Sequence, residues 1–477
     1  MDKVRDAAGA PPRGRRADAA HNAERVLVTA IGLLQTDPEA SLEEIAAAAQ
    51  VSRATVYRHF GSRAQLVEAA RRRAAERADA NVTDALRPPG ELAGGPTPLD
   101  VTEVLNKVPP HLLGDQIVSE ARRLAGVTSV ALYLIELEGT RLVRLAGSEE
   151  FPETLDVPSA VGPELSREDL PALRELIARE LPGSVLAPLS LRGRALGILL
   201  AVDAGEQALV ALARQAAAAL ALAGAYTDVF DIARRRKATS PAAEIQQNLL
   251  PPRIARITGG MLAGNVLPGY EIGGDWFDYV ENRDGAWLGV ADSMGHGTTA
   301  AALGAVALGA FRAKRKATAD LHAVVLAIHH TIREIAIDGA FVNATIARWH
   351  GPSSTFTWIT CGDQPPLLIT ADGELSELRG ASHDSLGLGN ATRQFQIERH
   401  RLAPGERLLL VSDGVLARRT RGGGRFGLDG VRAALRDTAG ASPAATVRAL
   451  EDAITASSKD RLEDDATIVV LAPTSPR

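Results

Sequence analysis

Cysteine is nearly absent: Cys361 is the only one in 477 residues. That excludes a disulfide framework and any multi-cysteine zinc site. Aromatic residues make up only 4%, so the cores are expected to be aliphatic. The basic amino-terminal start is not followed by an apolar segment of secretory type. The most apolar long stretch, 208–225, contains Arg214 and Gln215 and is mostly alanine, which suits a packed helix rather than a membrane span. A soluble, cytoplasmic protein that does not engage a membrane is the expectation. Charge of one sign is lacking too: 53 Lys and Arg against 58 Asp and Glu leave a net charge of −5. This argues against a polycation that coats nucleic acid, while leaving room for one basic module. There is no Walker A sequence; the Gly-rich run after Asp292 lacks its lysine. A cysteine phosphatase needs an arginine six residues beyond its thiolate, and Leu367 stands there, so Cys361 is expected to be a buried core thiol.

What is present falls into blocks. Residues 1–20 lack periodicity and read as a disordered tail. A helical block covers 21–87, and a Pro/Gly-rich linker 88–100. Residues 101–230 mix helices and strands, 231–252 read as a connector helix, and 253–477 form a larger mixed block. The expected fold class is therefore multidomain: an all-α module, an α/β module and an α+β module.

In the first block apolar residues at helical spacing (Val26, Leu27, Ala30, Leu33, Leu34) are broken by Asp37-Pro38. Ser41 then N-caps a short helix, with Glu44 completing a capping box. A tight connection, Gln50-Val51-Ser52, leads to a helix rich in hydrogen-bond donors, which is the logic of a helix-turn-helix. The run from Ser41 to Arg63 resembles the DNA-binding domain of TetR-family repressors. The resemblance implies that Ser52, Arg53 and Thr55 face DNA while Tyr57, His59 and Arg63 hold phosphates, with promoter DNA as a partner. Gln50 stands where that family usually has glycine, so a non-glycine residue at positive φ is expected. Residues 1–87 carry 14 Lys and Arg against 12 Asp and Glu, so the phosphate attraction is modest. An ordinary helical bundle used for protein contacts is the plain alternative.

In the middle block a helix is expected over 110–124, a doubly buried strand over 128–137, a hairpin across Arg192-Gly193-Arg194, and a long helix over 207–230. This pattern is similar to a GAF domain, which implies a small-molecule sensor or a dimerisation module. A homodimer through this block would also pair the DNA-reading helices. His111 is expected at the surface, and the basic run 234–237 as a solvated face.

The last block carries the chemistry. Asp292 ends a short apolar strand, Asp413 follows another, and Asp464 precedes a third; Asp275 lies in Gly273-Gly274-Asp275-Trp276-Phe277-Asp278. Strand ends on a rigid scaffold commonly display functional groups. Carboxylates facing one point repel one another without a cation, and hard divalent ions with oxygen ligands resolve this. Read alone, Asp413-Gly414 and Asp464-Asp465 are also ordinary turn residues.

The order and wording resemble the SpoIIE-like branch of the metal-dependent, protein phosphatase 2C type serine/threonine phosphatases. The supporting runs begin at Ile245, Gly273, Ala291, Phe341, Pro365, Ser412 and Asp464. The resemblance implies an αββα sandwich and two Mn²⁺ or Mg²⁺ ions bridged by Asp292. It places Asp275 on one side, Asp413 and Asp464 on the other, and the Ser293 carbonyl as a further ligand. It also implies hydrolysis of phosphoserine or phosphothreonine without a phosphoenzyme, on a STAS-type anti-sigma-factor antagonist. Met294 occupies the place of a histidine general acid of eukaryotic members. His296 is nearby, and both general-acid and loop-ordering roles stay open, with loop ordering preferred. Thr360-Cys361-Gly362-Asp363 replaces an Asn-Ala-Gly-His run, which bears on substrate contacts. The helix over 239–249 is expected to join sensor to phosphatase and to switch it. The competing reading is a TetR-like transcription regulator whose phosphatase domain is weak or only a switch.

Overall fold

Helices begin where the sequence supplies caps. The structure, a computed structural model, describes residues 23, 25–31, 33–34, 40–70, 98–157, 160–268, 273–335, 337–390 and 394–474. Ser41 Oγ accepts from the Glu44 amide, and the Glu44 carboxylate accepts from the Ser41 amide at 2.7 Å, opening α1 (Leu42–Ala48) with the expected capping box. Ser52 caps α2 (Arg53–Phe60) in the same way. Between them Gln50 takes φ 55°, the left-handed conformation expected of the turn. Val26, Ile45, Val56 and Leu66 close a small aliphatic core under the helix pair. The expected tail 1–20 and residues 88–97 of the expected linker lie outside the described residues.

The chain divides into two compact units, Met1–Thr97 and Pro98–Arg477. The second starts with α3 (Pro98–Lys107) and α4 (Leu113–Ala125), preceded by a short 3-10 turn at Pro110–Leu112. Strands β1 (Val130–Ile135), β2 (Arg141–Gly147), β3 (Thr154–Asp156), β4 (Ala160–Val161) and β5 (Glu164–Ser166) follow, then α5 (Leu170–Glu180). The hairpin β6 (Ser184–Leu191) and β7 (Arg194–Val202) turns at Arg192-Gly193, and α6 (Glu206–Ala223) closes the block. These strands make one sheet with path β3-β2-β1-β7-β5-β4, and β6 pairs with β7. All six residues of β1 are buried, because alternate residues face two different cores. Leu132 and Leu134 pack under α4 and α6. Ala131, Tyr133 and Ile135 pack on the other side with α5.

Two expectations need correction here. The long helix stops at Ala223, where Gly224 caps it, and α7 (Val229–Arg234) is a separate turn of helix. The basic run 234–237 is a solvated face only in part: Arg236 and Lys237 are exposed, but Arg234 and Arg235 are half-buried, and Arg235 and Arg236 are paired. Arg236 pairs with Glu138 at 2.6 Å and lies 3.6 Å from the buried Glu136, and Arg235 pairs with Glu244 at 2.7 Å. The arginines tie the chain leaving α7 back onto the β1–β2 turn and forward onto α8 (Pro241–Leu249), whose amino end is capped by Ser240.

Beyond α8 come β8 (Ile254–Ile257), β9 (Gly260–Leu267), β10 (Trp276–Asn282) and β11 (Gly285–Ser293). Helices α9 (Gly297–Arg315) and α10 (Leu321–Arg333) follow. Next are β12 (Val342–His350), β13 (Thr355–Cys361), β14 (Leu367–Ile369), β15 (Leu375–Glu377), β16 (Ser382–His383), β17 (Glu398–Arg401) and β18 (Arg407–Val411). The chain closes with α11 (Asp413–Ala417), α12 (Gly427–Leu435), α13 (Pro443–Ser457) and β19 (Ala466–Pro473). Two six-stranded sheets result: β10-β11-β12-β13-β16 with β17 on β13, and β15-β14-β18-β19-β9-β8.

Strand periodicity decides the layers. On β18, Leu408 and Leu410 point between the sheets, where they meet Leu288, Val290, Trp349 and Phe277. Leu409 and Val411 point outward to Val447, Leu450 and Ile454 of α13. On β11, Trp287 and Ala291 point outward to Phe311 of α9 and Ile328 of α10. Helix, sheet, sheet, helix is the expected αββα sandwich. Cys361 is buried against the outer core of the first sheet, as expected of a core thiol. Among the described residues no helix is long and apolar enough to cross a membrane.

Candidate metal centre

The same period of two brings carboxylates to one place. On β11 Leu288 and Val290 face the second sheet, so Asp292 does too. On β10 Phe277 faces inward, and Asp275, two residues earlier, shares its parity. On β19 Thr467 and Val469 have the inward parity, which is that of Asp465 rather than Asp464. Asp413 starts α11 immediately after β18. A close backbone approach fixes this last pair of segments: a Cβ on Gly414 would lie 1.9 Å from the Asp465 carbonyl oxygen, so only glycine permits it. Gly304 of α9 does the same on the other side, where a Cβ would lie 2.5 Å from the Gly274 carbonyl oxygen.

The hydrogen bonds sort the carboxylates by role. Asp275 is buried, and its Oδ2 accepts from Thr467 Oγ1 at 2.5 Å. Asp465 is buried too: its Oδ2 accepts from Gln246 Nε2 at 2.5 Å and from the Asp275 amide at 3.2 Å. Gln246 Nε2 also donates to the Asp275 carbonyl at 3.0 Å, so α8 reaches the floor of the site. Ser412 Oγ donates to the Asp465 carbonyl at 3.2 Å and accepts from the Thr467 amide at 2.9 Å. Asp464 is half-buried and its Oδ1 accepts from the Asp465 amide at 2.9 Å. Asp292 stands among them, close enough for Asp413, Asp464 and Asp275 all to act on its carboxyl.

The electrostatics follow. Burial first, then the charges of Asp413 and Asp464, push the Asp292 carboxyl up to about 7. Burial, followed by Asp292 and Asp465, raises Asp275 well above the usual carboxylate range. Burial pushes Asp465 up to about 7 against the pull of the Asp275 amide and Gln246. Burial also raises Asp464, against the pull first of the Asp465 amide and then of the nearby His296. No lysine or arginine is among the charges acting on these four. Buried carboxylates without a cation protonate instead.

Among the described residues no three acidic, histidine or cysteine side chains converge tightly enough to hold a cation in this conformation. The donor set still fits a hard divalent ion. It consists of carboxylate oxygens, and it leaves Asp465 Oδ1 and Ser293 Oγ buried without a hydrogen-bond partner.

Asp275, Asp292, Asp413 and Asp464 thus lie near enough to act on one another's charge, and Ser293 is buried next to Asp292. His296 is exposed at the residue before α9 and makes no side-chain capping bond there. Sequence reasoning missed Asp465 and the part played by Gln246. Both were legible: Asp465 from the alternation of β19, and Gln246 because it follows the buried Ala242 and Ala243 at helical spacing.

In the amino-terminal unit, Ser52 Oγ lies 2.8 Å from Thr55 Oγ1, so both serve the cap of α2. Arg53 meets Glu43 at 2.5 Å and stacks 5.4 Å over the Tyr57 ring, which is 44% exposed. His59 is half-buried against Phe60, and Arg63 Nε donates to the Ala40 carbonyl at 2.9 Å. Ser52, Arg53 and Tyr57 remain on the outer surface.

Residues 282–473 match the stage II sporulation protein E (SpoIIE) family, and residues 35–70 match the bacterial regulatory proteins of the tetR family. The phosphoserine phosphatase RsbU of Bacillus subtilis is 22% identical over 231 residues, which span 48% of this chain and 68% of RsbU. Among solved structures, the SiaA-PP2C domain of Pseudomonas aeruginosa is 21% identical with a TM-score of 0.42, covering 49% of this chain and 94% of that one. RsbX, solved in complex with magnesium, is 16% identical with a TM-score of 0.36, covering 46% of this chain and 98% of that one. The chain joins an amino-terminal domain of the TetR family to a carboxy-terminal phosphatase domain of the SpoIIE family.

Proposed function

We propose that the chain is a metal-dependent protein serine/threonine phosphatase. Its substrate on this reading is phosphoserine or phosphothreonine of a STAS-type anti-sigma-factor antagonist. The observation that carries it is the position of Asp292 among Asp275, Asp413 and Asp464, with no lysine or arginine among the charges acting on the four. Asp292 would bridge two Mn²⁺ or Mg²⁺ ions, with Asp275 and the Ser293 carbonyl toward one and Asp413 and Asp464 toward the other. When bound, such ions supply an activated water and neutralise phosphoryl oxygens. The chain's own residues give the site its shape. Thr467 orients Asp275, Gln246 and the Asp275 amide hold Asp465, and Gly414 lets the start of α11 approach the Asp465 backbone. The similarity to the phosphoserine phosphatase RsbU supports the substrate class.

The middle sheet with its helices supports a GAF-like sensor. Leu222, Tyr226 and Ile232, exposed at 68%, 80% and 67%, support a homodimer through this block. With a DNA-reading module attached, the enzyme would act in the cytoplasm. Manganese-dependent hydrolysis of p-nitrophenyl phosphate and of a phosphoserine peptide tests this. Activity in the wild type that disappears in Asp292→Ala and Asp413→Ala supports the reading; absence of metal-dependent turnover contradicts it.

A second reading has its own observation. The exposed Ser52, Arg53 and Tyr57 at α2 suit promoter DNA, and carboxylates that, among the described residues, do not converge in threes on one point suit a weak or purely switching phosphatase domain. Salt-sensitive retention on promoter DNA, lost in Tyr57→Ala, supports it; retention unchanged in that variant removes it.

A further inference from the structure

Two adjoining cavities open where α7 and α8 meet the edge of the middle sheet, with volumes of about 220 Å³ and 260 Å³. They share Pro163, Glu164, Arg194, Asp231 and Arg234 as lining. The first is amphipathic: Leu134, Leu196, Leu220 and Phe230 supply apolar lining, and Arg194, Arg234, Glu164 and Asp231 supply charged lining. The second continues to Arg235, Arg253 and the carboxyl end of α8.

The cations here are unevenly spent. Arg194 pairs with Glu164, whose other oxygen accepts from the Ile254 amide at 3.0 Å. Arg235 pairs with Glu244. Arg253 gives its hydrogen bonds to neutral oxygens, those of Asn265, Pro251 and Gln247. Among the described residues the Arg234 side chain makes one long bond, Nη2 to the Leu196 carbonyl at 3.5 Å, and its Nε is buried with no hydrogen-bond partner. Asp231 and Glu164 are the carboxylates acting on it. A buried guanidinium N–H without an acceptor is costly, and arginine forks suit carboxylate, sulfonate and phosphate oxygens.

We propose that this cavity binds a small organic anion. Its oxyanion head sits at Arg234 Nε and its apolar body lies over Leu196, Leu220 and Phe230. None of these residues belongs to the carboxylate centre, so the site stands or falls apart from the phosphatase reading.

The test is calorimetric titration of the metal-free, full-length chain with benzenesulfonate, with benzyl alcohol as the neutral analogue. Removing metal keeps the probe away from the carboxylate centre. Saturable binding of benzenesulfonate, and none of benzyl alcohol, is expected. Arg234→Gln should weaken it at least about tenfold, because a charge-assisted pair is lost. Ala221→Trp, which fills the cavity from an exposed position without touching a charge, should weaken it as much, and it decides the matter should Arg234→Gln fail to fold. Benzenesulfonate that binds no better than benzyl alcohol, or binds Ala221→Trp as it binds wild type, overturns the proposal.

Discussion

Asp278 and Asp292 are carboxylates of one hairpin, β10 and β11, and they are treated in opposite ways. Asp278 is buried between two guanidinium groups: Arg312 reaches its oxygens at 3.0 and 3.1 Å and Arg315 at 2.7 Å. Asp292, at the far end of β11, has only other carboxyls as close charged company. The first brings its counter-charge within the fold; the second leaves that place for something from outside. A buried acid that serves structure is clamped, and one that serves chemistry is left in want of a cation.

Substitutions at the two positions should therefore have opposite readouts. Asp292→Ala is expected to reduce manganese-dependent hydrolysis on the order of 10³-fold, the scale of losing a principal electrostatic element. Folding of the metal-free variant should not suffer. Because the folded carboxyl is raised to about 7 from its ordinary 3.8, the wild type binds an extra proton when folded, and the metal-free protein loses stability as pH rises from about 4 through 7. Removing the group flattens that slope. Denaturant titrations at pH 5 and pH 8 check it.

Asp278→Asn is expected to do the reverse. Leaving two arginines short of their carboxylate should destabilise the fold by about 3–5 kcal/mol, read by urea unfolding, while whatever protein remains folded keeps its metal dependence. A variant with normal stability and no activity would place Asp278 with Asp292 after all.

Gln246 lies between the two cases, since it holds Asp465 without joining the cluster. Gln246→Ala should lower turnover by about 10–100-fold, as loss of an outer support around a metal does. Its manganese dependence should shift to higher concentration. An unchanged manganese titration would contradict the support role.

Glu451 of α13 gives the smallest effect. Burial pushes it up to about 7, and it accepts from Asn265 Nδ2 at 2.7 Å. The amide of Glu451→Gln keeps that acceptor and removes the charge. Above pH 7 the variant should be more stable than wild type by under about 1 kcal/mol, after allowance for solvent screening; at pH 5 the two should match. Equal stability at both pH values would show that the carboxylate is adequately solvated.

Much of this was legible in the sequence for definite physical reasons. The capping box at Ser41 and Glu44 is a local pattern, and it opens α1 where expected. The alternation of β18 and β11 announces a layer on each face, and the strand ends announce Asp292 and Asp413. What was not legible depends on pairings distant in the chain. Nothing local marks 234–237 as partners of Glu136, Glu138 and Glu244. The stop at Gly224 was hidden by the apolar run around it, because glycine inside an alanine-rich helix is tolerated as often as it ends one. Asp465 is marked by parity along β19 and by no local motif, so it stays hidden until the strand's inward face is known.

The most direct measurement is anomalous diffraction from crystals of the full chain soaked in manganese chloride. Two peaks about 3.5–4 Å apart, with Asp292 between them and Asp275 and Asp413 on opposite sides, are the predicted result. Empty density there, with the three carboxylates pointing apart, would contradict the account.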